Sequence, residues 1–143
     1  MFKKILVALE NSPADETMLP QIAALAKKLA SELLFLHVAD GWVARNFNQL
    51  KLAESEEMKS DREYLEKAAD KIRAEGISVS TMLALGSPPT EILKVADAER
   101  CSLIAMTSHG HRLFGDIFHG STINEVRHNT HIPILLVRAK KIK

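Results

Sequence analysis

Short apolar runs alternate along the chain with longer segments in which apolar residues recur every three or four positions. The short runs are typical of β-strands, and most are unbroken, as expected of strands buried on both faces of a sheet. The run at 77–83 alternates in part with polar residues, which favours a position near a sheet edge. The predicted strands cover residues 5–9, 33–38, 77–83, 103–106 and 132–137.

In the segments between these runs, the apolar residues recur with the spacing of a helix face. A first helix is predicted with Ser12 as its N-cap and with Pro20 either bending it or starting a second helix. The next is predicted over about 51–75, and its charged residues, Asp61 among them, are interpreted as a solvated face. A third helix opens with Gly-Ser-Pro-Pro, and a fourth begins near Ser121.

This order of elements determines the predicted class of fold. Strands that alternate with helices imply right-handed crossovers and a parallel sheet with helices on both faces. The length of 143 residues fits one domain, and a hydrophobic fraction of 46% is enough for a sizeable core. No internal repeat, low-complexity segment or linker interrupts the pattern. We therefore predict a single α/β domain over residues 1–143, with a three-layer, doubly wound architecture.

Charge and cysteine content narrow the class of protein. The formal net charge of +1 favours neither nucleic-acid nor membrane binding. No apolar run approaches the roughly 20 residues that cross a bilayer, and the run at 5–9 is too short for a signal peptide. Cys101 is the one cysteine, which excludes an intrachain disulfide and fits a reducing compartment. We expect a cytoplasmic protein in which Cys101 is structural.

Polar residues follow two of the predicted strands. In an open parallel sheet, ligands bind beyond the carboxyl ends of the strands, at the point where the strand order reverses. Glu10, Asn11 and Ser12 follow the first strand, and a second polar segment begins at Thr107 after the fourth. If these two strands are neighbours in the sheet, the two segments face each other across one crevice. This crevice is the candidate ligand site.

The residues at 107–122 suit a phosphate group. Gly110 can adopt backbone angles closed to other residues, so its amide can approach an anion closely. Gly120, Ser121 and Thr122 open a helix, whose free amides and dipole favour negative charge. His111, Arg112 and His119 are candidates to supply positive charge, and His109, just before Gly110, is a further candidate to face the phosphate.

Other residues at the same edge suit a sugar and a base. Glu10 is predicted to accept hydrogen bonds from sugar hydroxyls, and Val38 and Ala39, at the end of the second strand, to flank the base. The alternative is purely structural, with Gly110 as a turn residue and the later Gly-Ser pair as a helix cap. The residues alone leave both interpretations open. Ser121 replaces the lysine of a Walker A loop, which argues against a P-loop NTPase.

Metal and catalytic chemistry receive weaker support. The loop histidines have no carboxylate or cysteine at ligand spacing, so no metal site is predicted from them. His37 lies in a predicted buried strand and is interpreted as a hydrogen-bonded core residue. Asp116 either binds magnesium together with a nucleotide or is a solvated turn residue. No segment positions a nucleophile, so no catalytic residue is predicted.

Five segments, taken in order, resemble the universal stress protein family. Lys-Lys-Ile-Leu-Val-Ala-Leu-Glu-Asn-Ser at 3–12 resembles that family's first strand and its Asp-Gly-Ser loop. Gly-x9-Gly-Ser at 110–121 resembles the second half of its nucleotide signature, Gly-x-x-Gly-x9-Gly-(Ser/Thr). Leu-His-Val at 36–38, Gly-Ser-Pro at 86–88 and the closing strand at 133–137 resemble further parts of the family pattern. The resemblance extends over nearly the whole chain.

The resemblance implies both a fold and a function. The fold is adenine nucleotide alpha hydrolase-like, with a five-stranded sheet of order 3-2-1-4-5 and a crevice between the first and fourth strands. The family forms homodimers, often joined through the last strand, which would cover an exposed edge. Some members bind ATP or AMP and others do not, so ATP or AMP is the expected ligand here, and Mg²⁺ is a possible companion of that nucleotide. Members act in stress responses as sensors or binding modules, so we expect no enzyme.

Three residues depart from the nucleotide-binding pattern of that family. Thr107 stands where the first signature glycine belongs, while Glu10 and Asn11 replace the usual aspartate and glycine. The phosphate half of the pattern therefore matches and the sugar half is altered. The alternative function is a member that binds no nucleotide and serves as a dimeric protein-interaction module. A more distant alternative is a nucleotide hydrolase that uses Asp116 or a histidine with magnesium.

Overall fold

The computed structural model describes residues 1–39, 56–108 and 120–140 of the chain. Within these ranges, the strands are β1 (Lys4–Ala8), β2 (Glu32–Ala39), β3 (Val79–Leu85), β4 (Leu103–Ser108) and β5 (Ile134–Arg138). The helices are α1 (Asp15–Leu29), α2 (Glu56–Arg73), α3 (Pro88–Ala98) and α4 (Gly120–His128). Each predicted strand and helix is therefore present, with its ends shifted by a few residues.

The strands form one parallel sheet in the order β3-β2-β1-β4-β5. β1 lies between β2 and β4, so that Ile5 pairs with Leu33 on one side and with Leu103 on the other. β3 and β5 are the two edge strands, as the partial alternation at 77–83 predicts for β3. The expected order and the doubly wound α/β class are confirmed.

Two hydrophobic layers cover the faces of the sheet, because successive side chains of a strand point to opposite faces. Ile5 and Val7 of β1 pack with α1 and α2, while Leu6 and Ala8 pack with α3 and α4. All four side chains are fully buried. An unbroken apolar run in β1 is therefore the consequence of burial on both faces, as its sequence predicts.

Two helix predictions need correction at α1. The helix continues from Asp15 through Pro20 to Leu29, so Pro20 does not start a second helix. Pro20 has no N–H to donate to the backbone carbonyl of Glu16. Because Glu16 and Pro20 are both exposed, solvent can donate a hydrogen bond to that carbonyl instead. The N-cap residue is Ala14, without a side-chain cap bond, and not Ser12. Ser12 Oγ instead accepts a hydrogen bond from the backbone N–H of Ala14, at 3.3 Å, in the turn that precedes the helix.

Candidate functional site

The carboxyl ends of β1, β2 and β4 lie side by side at one edge of the sheet. Val7 of β1 pairs with Phe35 of β2 and with Ala105 of β4, so the residues that follow these strands emerge at the same edge. Glu10, Asn11 and Ser12 follow β1, Val38 and Ala39 end β2, and Thr107 lies near the end of β4. The neighbouring first and fourth strands, on which the predicted crevice depends, are thus confirmed.

The beginning of α4 belongs to the same edge by topology. Helix α4 carries the chain from the carboxyl end of β4 back to the start of β5, and the two strands are parallel. Its first residue, Gly120, therefore lies towards the carboxyl edge. Ser121 is exposed and Thr122 is buried, and the first turn of the helix holds no acidic residue. The remaining predicted site residues His109, Gly110, His111 and Arg112 lie outside the described residues, as do His119 and Asp116.

Asp15 organises the turn between β1 and α1. Its carboxylate accepts the backbone N–H of Glu10 at 3.0 Å and that of Asn11 at 2.9 Å. Asn11 has a left-handed backbone with φ of 58°, a conformation that asparagine tolerates better than most residues. Asp15 is buried although it lies in the first turn of α1, where the sequence suggests only a favourable interaction with the helix dipole. Its carboxylate thus binds the backbone of residues 10–12, the turn between β1 and α1 that we call the site turn.

Helix α2 reaches the same turn from the other side. The phenol of Tyr64 donates a hydrogen bond to Oδ2 of Asp15, and Nδ2 of Asn11 donates to Oδ1 of Asp61 at 2.8 Å. His37 of β2 lies 3.7 Å from the same Asp61 oxygen through Nε2. Its Nδ1 is 2.9 Å from the carbonyl of Leu9, which confirms the prediction of a hydrogen-bonded core histidine. Two side chains of α2 therefore hold the residues that follow β1.

The interpretation of Asp61 as part of a solvated face is wrong. Asp61 is only 8% exposed and contacts both the site turn and β2. The signal was present in the sequence, because Asp61 is three residues after Met58 and four before Leu65, and both of these are buried. A charged residue on the apolar stripe of a helix needs a polar partner, and here Asn11 supplies one.

Burial determines the electrostatics of the pair formed by Asp15 and Tyr64. Burial raises the pKa of the Asp15 carboxyl, although hydrogen bonds from Tyr64 and from the backbone of Glu10 and Asn11 oppose the shift. Burial also raises the pKa of the Tyr64 phenol, and the charge of Asp15 and its hydrogen bond act in the same direction. Tyr64 is therefore a neutral donor over the physiological range of pH.

Glu10 and Thr107 are buried polar residues at the carboxyl ends of β1 and β4, where the crevice is predicted. Glu10 is 1% exposed, and its Oε1 accepts a hydrogen bond from Ser12 Oγ at 3.4 Å. Thr107 is fully buried, and its Oγ1 is the one buried side-chain polar atom of the described residues that has no partner. An unpaired buried hydroxyl costs about 1–3 kcal/mol. β4 thus contains a polar group that the described parts of the chain do not satisfy.

Comparison with known proteins identifies the family. A model of the universal stress protein family matches residues 1–138. The chain belongs to the universal stress protein family. Its sequence is 29% identical to the universal stress protein MJ0577 of Methanocaldococcus jannaschii, over 98% of this chain and 97% of that protein. It is 30% identical to the universal stress protein YxiE of Bacillus subtilis, over 96% of this chain and 100% of that protein.

Solved structures show the same fold as this universal stress protein. The structure of MJ0577 has a TM-score of 0.80 at 28% identity and covers 99% of both chains. The universal stress protein from Archaeoglobus fulgidus in complex with dAMP has a TM-score of 0.70 at 22% identity, over 95% of this chain and 98% of that one. The family assignment made from the five segments is confirmed.

Cys101, His128 and His131 of this universal stress protein lie away from the carboxyl edge of the sheet. Cys101 precedes β4 and is buried, and burial raises the pKa of its thiol, which suits an unreactive core residue. His128 and His131 are exposed near the end of α4. Among the described residues, no helix has the length and apolar character needed to cross a membrane.

Proposed function

We propose that this universal stress protein binds an adenine nucleotide, ATP or AMP, in the crevice between β1 and β4, and acts as a stress-response regulator or sensor and not as an enzyme. The supporting observation is that the carboxyl ends of β1 and β4 and the beginning of α4 lie at one edge of the sheet. Backbone amides at a helix start, beside a switch in strand order, suit a phosphate chain.

The residues of this edge divide among the parts of a nucleotide. The first turn of α4, with Gly120, Ser121 and Thr122, would hold the phosphates, together with the loop residues His109, Gly110, His111 and Arg112. Glu10, next to Asn11 and Ser12, would accept hydrogen bonds from the ribose. Val38 and Ala39 would flank the base. A ligand hydroxyl or a water molecule at this edge would satisfy the Thr107 hydroxyl, and Mg²⁺ would accompany a bound triphosphate.

Two solved structures of related fold support the nucleotide class. The Archaeoglobus fulgidus universal stress protein was solved in complex with dAMP, and another universal stress protein, with a TM-score of 0.69 to this chain, was solved in complex with cAMP. Both ligands combine adenine, a sugar and a phosphate. Proteins of this fold therefore bind adenine nucleotides, which supports the same class of ligand for this chain.

Calorimetric titration with ATP and with AMP tests the proposal. We expect saturable binding of one nucleotide per chain, and mass spectrometry of the freshly purified protein should detect a retained adenine nucleotide. GTP is the matched control, because it has the same phosphates and sugar with a different base. If neither ATP nor AMP binds at millimolar concentration, the proposal fails. The alternative of a protein-interaction module with a partly filled crevice, which the burial of Glu10 and Thr107 favours, would replace it.

We further propose a cytoplasmic homodimer joined through β5. This strand is an edge of the sheet, and its Leu136 is 46% exposed. An edge strand with an exposed large apolar residue is a ready surface for a second copy of the chain. A single buried cysteine is the pattern expected of a reducing compartment.

Substitution of Leu136 by lysine is expected to weaken dimerisation by about tenfold or more, because it places two charges in an apolar contact. Sedimentation velocity over a range of protein concentrations measures the effect. Ser80→Lys is the matched control, since Ser80 is exposed on the opposite edge strand β3 and gains the same charge. An unchanged dimer in Leu136→Lys would place the interface elsewhere.

A further inference from the structure

Helix α2 contributes no residue to the proposed nucleotide site, yet two of its side chains hold the turn that follows β1. We propose that Tyr64 and Asp61 are positioning residues, which set the conformation of residues 10–12 and thereby the affinity of the crevice for nucleotide. The effect on affinity rests on the proposed function. The effect on the turn does not, and it can be measured without a ligand.

The first link runs from Tyr64 through Asp15 to the backbone of the turn. The two carboxylate oxygens of Asp15 accept from successive amides, Oδ1 from Glu10 and Oδ2 from Asn11. The Tyr64 hydroxyl donates to Oδ2, the oxygen that also binds the Asn11 amide. A carboxylate held by three donors has little freedom to rotate. By fixing the Asp15 carboxylate, the Tyr64 hydroxyl therefore also restricts the motion of the Glu10 and Asn11 amides, which it does not contact.

The second link runs from Asp61 to the side chain of Asn11. Asn11 has a left-handed backbone, which is uncommon in residues with a Cβ atom although asparagine tolerates it better than most. Its backbone N–H is bound by Asp15 of α1 and its amide side chain by Asp61 of α2. The residue is thus held between two helices, and a shift of α2 relative to α1 would pull on both bonds.

The third link joins Asp61 to the strands beneath the turn. A carbonyl oxygen only accepts hydrogen bonds, so Nδ1 of His37 carries the hydrogen and donates it to the Leu9 carbonyl. The other ring nitrogen, Nε2, lies 3.7 Å from Oδ1 of Asp61. Leu9 immediately precedes Glu10, and His37 immediately precedes Val38. The same contacts consequently connect the proposed ribose residue, the proposed base residue and α2.

The variant Tyr64→Phe tests the proposal, because it removes the hydroxyl that donates to Asp15 and keeps the aromatic ring. We expect faster hydrogen exchange of the Glu10 and Asn11 amides, followed by NMR, and an affinity for ATP and AMP weakened by about tenfold. The matched control is Glu75→Gln, which removes the charge from the ion pair between Lys27 of α1 and Glu75 just after α2, where Lys27 Nζ lies 2.6 Å from Glu75 Oε1.

A purely structural role for Tyr64 would produce a different result. In that case Tyr64→Phe and Glu75→Gln would both lower the midpoint of thermal unfolding, with nucleotide affinity and exchange of the turn amides unchanged, and the proposal would be overturned. If the parent protein binds no nucleotide, the proposed function fails, and the exchange measurement still tests the positioning of the turn. Unchanged exchange of the Glu10 and Asn11 amides in Tyr64→Phe would overturn that positioning. Faster exchange confined to the turn, with reduced affinity, supports the proposal in full.

Discussion

Replacement of Gly120 by aspartate is expected to weaken binding of ATP and AMP by about a hundredfold or more, while the protein remains folded. A carboxylate within about 5 Å of a phosphate raises the energy of the complex by about 3 kcal/mol at an effective dielectric constant of about 20. The new side chain also occupies the approach to the first amides of α4. Aspartate is a favoured residue at the start of a helix, so the helix itself should not be weakened.

The control for this experiment is Gly120→Asn, which has nearly the same size and no charge. If the phosphates lie at the beginning of α4, Asn should reduce affinity much less than Asp, and the difference should shrink as the salt concentration rises. Calorimetry measures the affinities, and far-ultraviolet circular dichroism checks the fold. Equal affinities for the aspartate variant and the parent protein would move the phosphates away from α4 and would refute this part of the proposed site.

Replacement of Asp15 by alanine is expected to lower the free energy of unfolding by about 2–4 kcal/mol. The substitution leaves the N–H groups of Glu10 and Asn11 and the hydroxyl of Tyr64 without their acceptor. Chemical denaturation measures the loss. Glu16→Ala is the matched control, since Glu16 is the neighbouring acid in the same first turn and is exposed.

The same variant has a spectroscopic signature. Tyr64 is the one tyrosine of the chain, so the ultraviolet absorbance of the phenolate reports this residue alone. Burial, then the charge of Asp15 and its hydrogen bond, raise the pKa of the phenol. Loss of Asp15 should therefore move the titration to lower pH, although burial keeps the pKa above its ordinary value. A titration at the same pH in both proteins would show that Asp15 does not contact Tyr64.

The loss of stability caused by Asp15→Ala should depend on pH, because the pKa of Asp15 differs between the folded and unfolded states. The folded protein raises the pKa of Asp15, so between the unfolded and folded values the folded state binds more protons than the unfolded state. Stability contributed by Asp15 is therefore complete below the unfolded pKa and falls as the pH rises through the folded pKa. The destabilisation of Asp15→Ala should accordingly be larger in acid than at neutral pH, and the opposite trend would contradict the shift.

Much of the fold was predictable because a parallel sheet covered on both faces leaves a clear pattern. Unbroken runs such as 5–9 and 33–38 are buried, and they form most of β1 and β2. The ends of the elements were less accessible. Ser12 has the chemistry of an N-cap, but the carbonyls of Ser12 and Pro13 accept the first turn's amides, and α1 begins at Asp15.

Less of the candidate site was predictable. Glu10 and Thr107 lie at the ends of neighbouring strands because β1 and β4 are adjacent in the sheet. The family resemblance implied that strand order, and periodicity alone did not. The contributions of Asp15, Asp61 and Tyr64 were missed, because each joins residues far apart in sequence. Asn11 and Asp61, for example, are 50 positions apart and bond directly. Only the helical spacing of Asp61 relative to Met58 and Leu65 indicated that it was not an ordinary surface charge.

By itself, the sequence determined the alternation of strands and helices, the buried faces and the class of the domain, since these depend on local periodicity and on burial of apolar surface. The tertiary structure decided which polar groups meet. Whether a carboxylate lies in water or accepts the amides of a distant turn depends on how α1 and α2 pack against the sheet, and no local pattern encodes that distance. The unpaired hydroxyl of Thr107 is a consequence of the same kind, because only the packed sheet removes it from solvent.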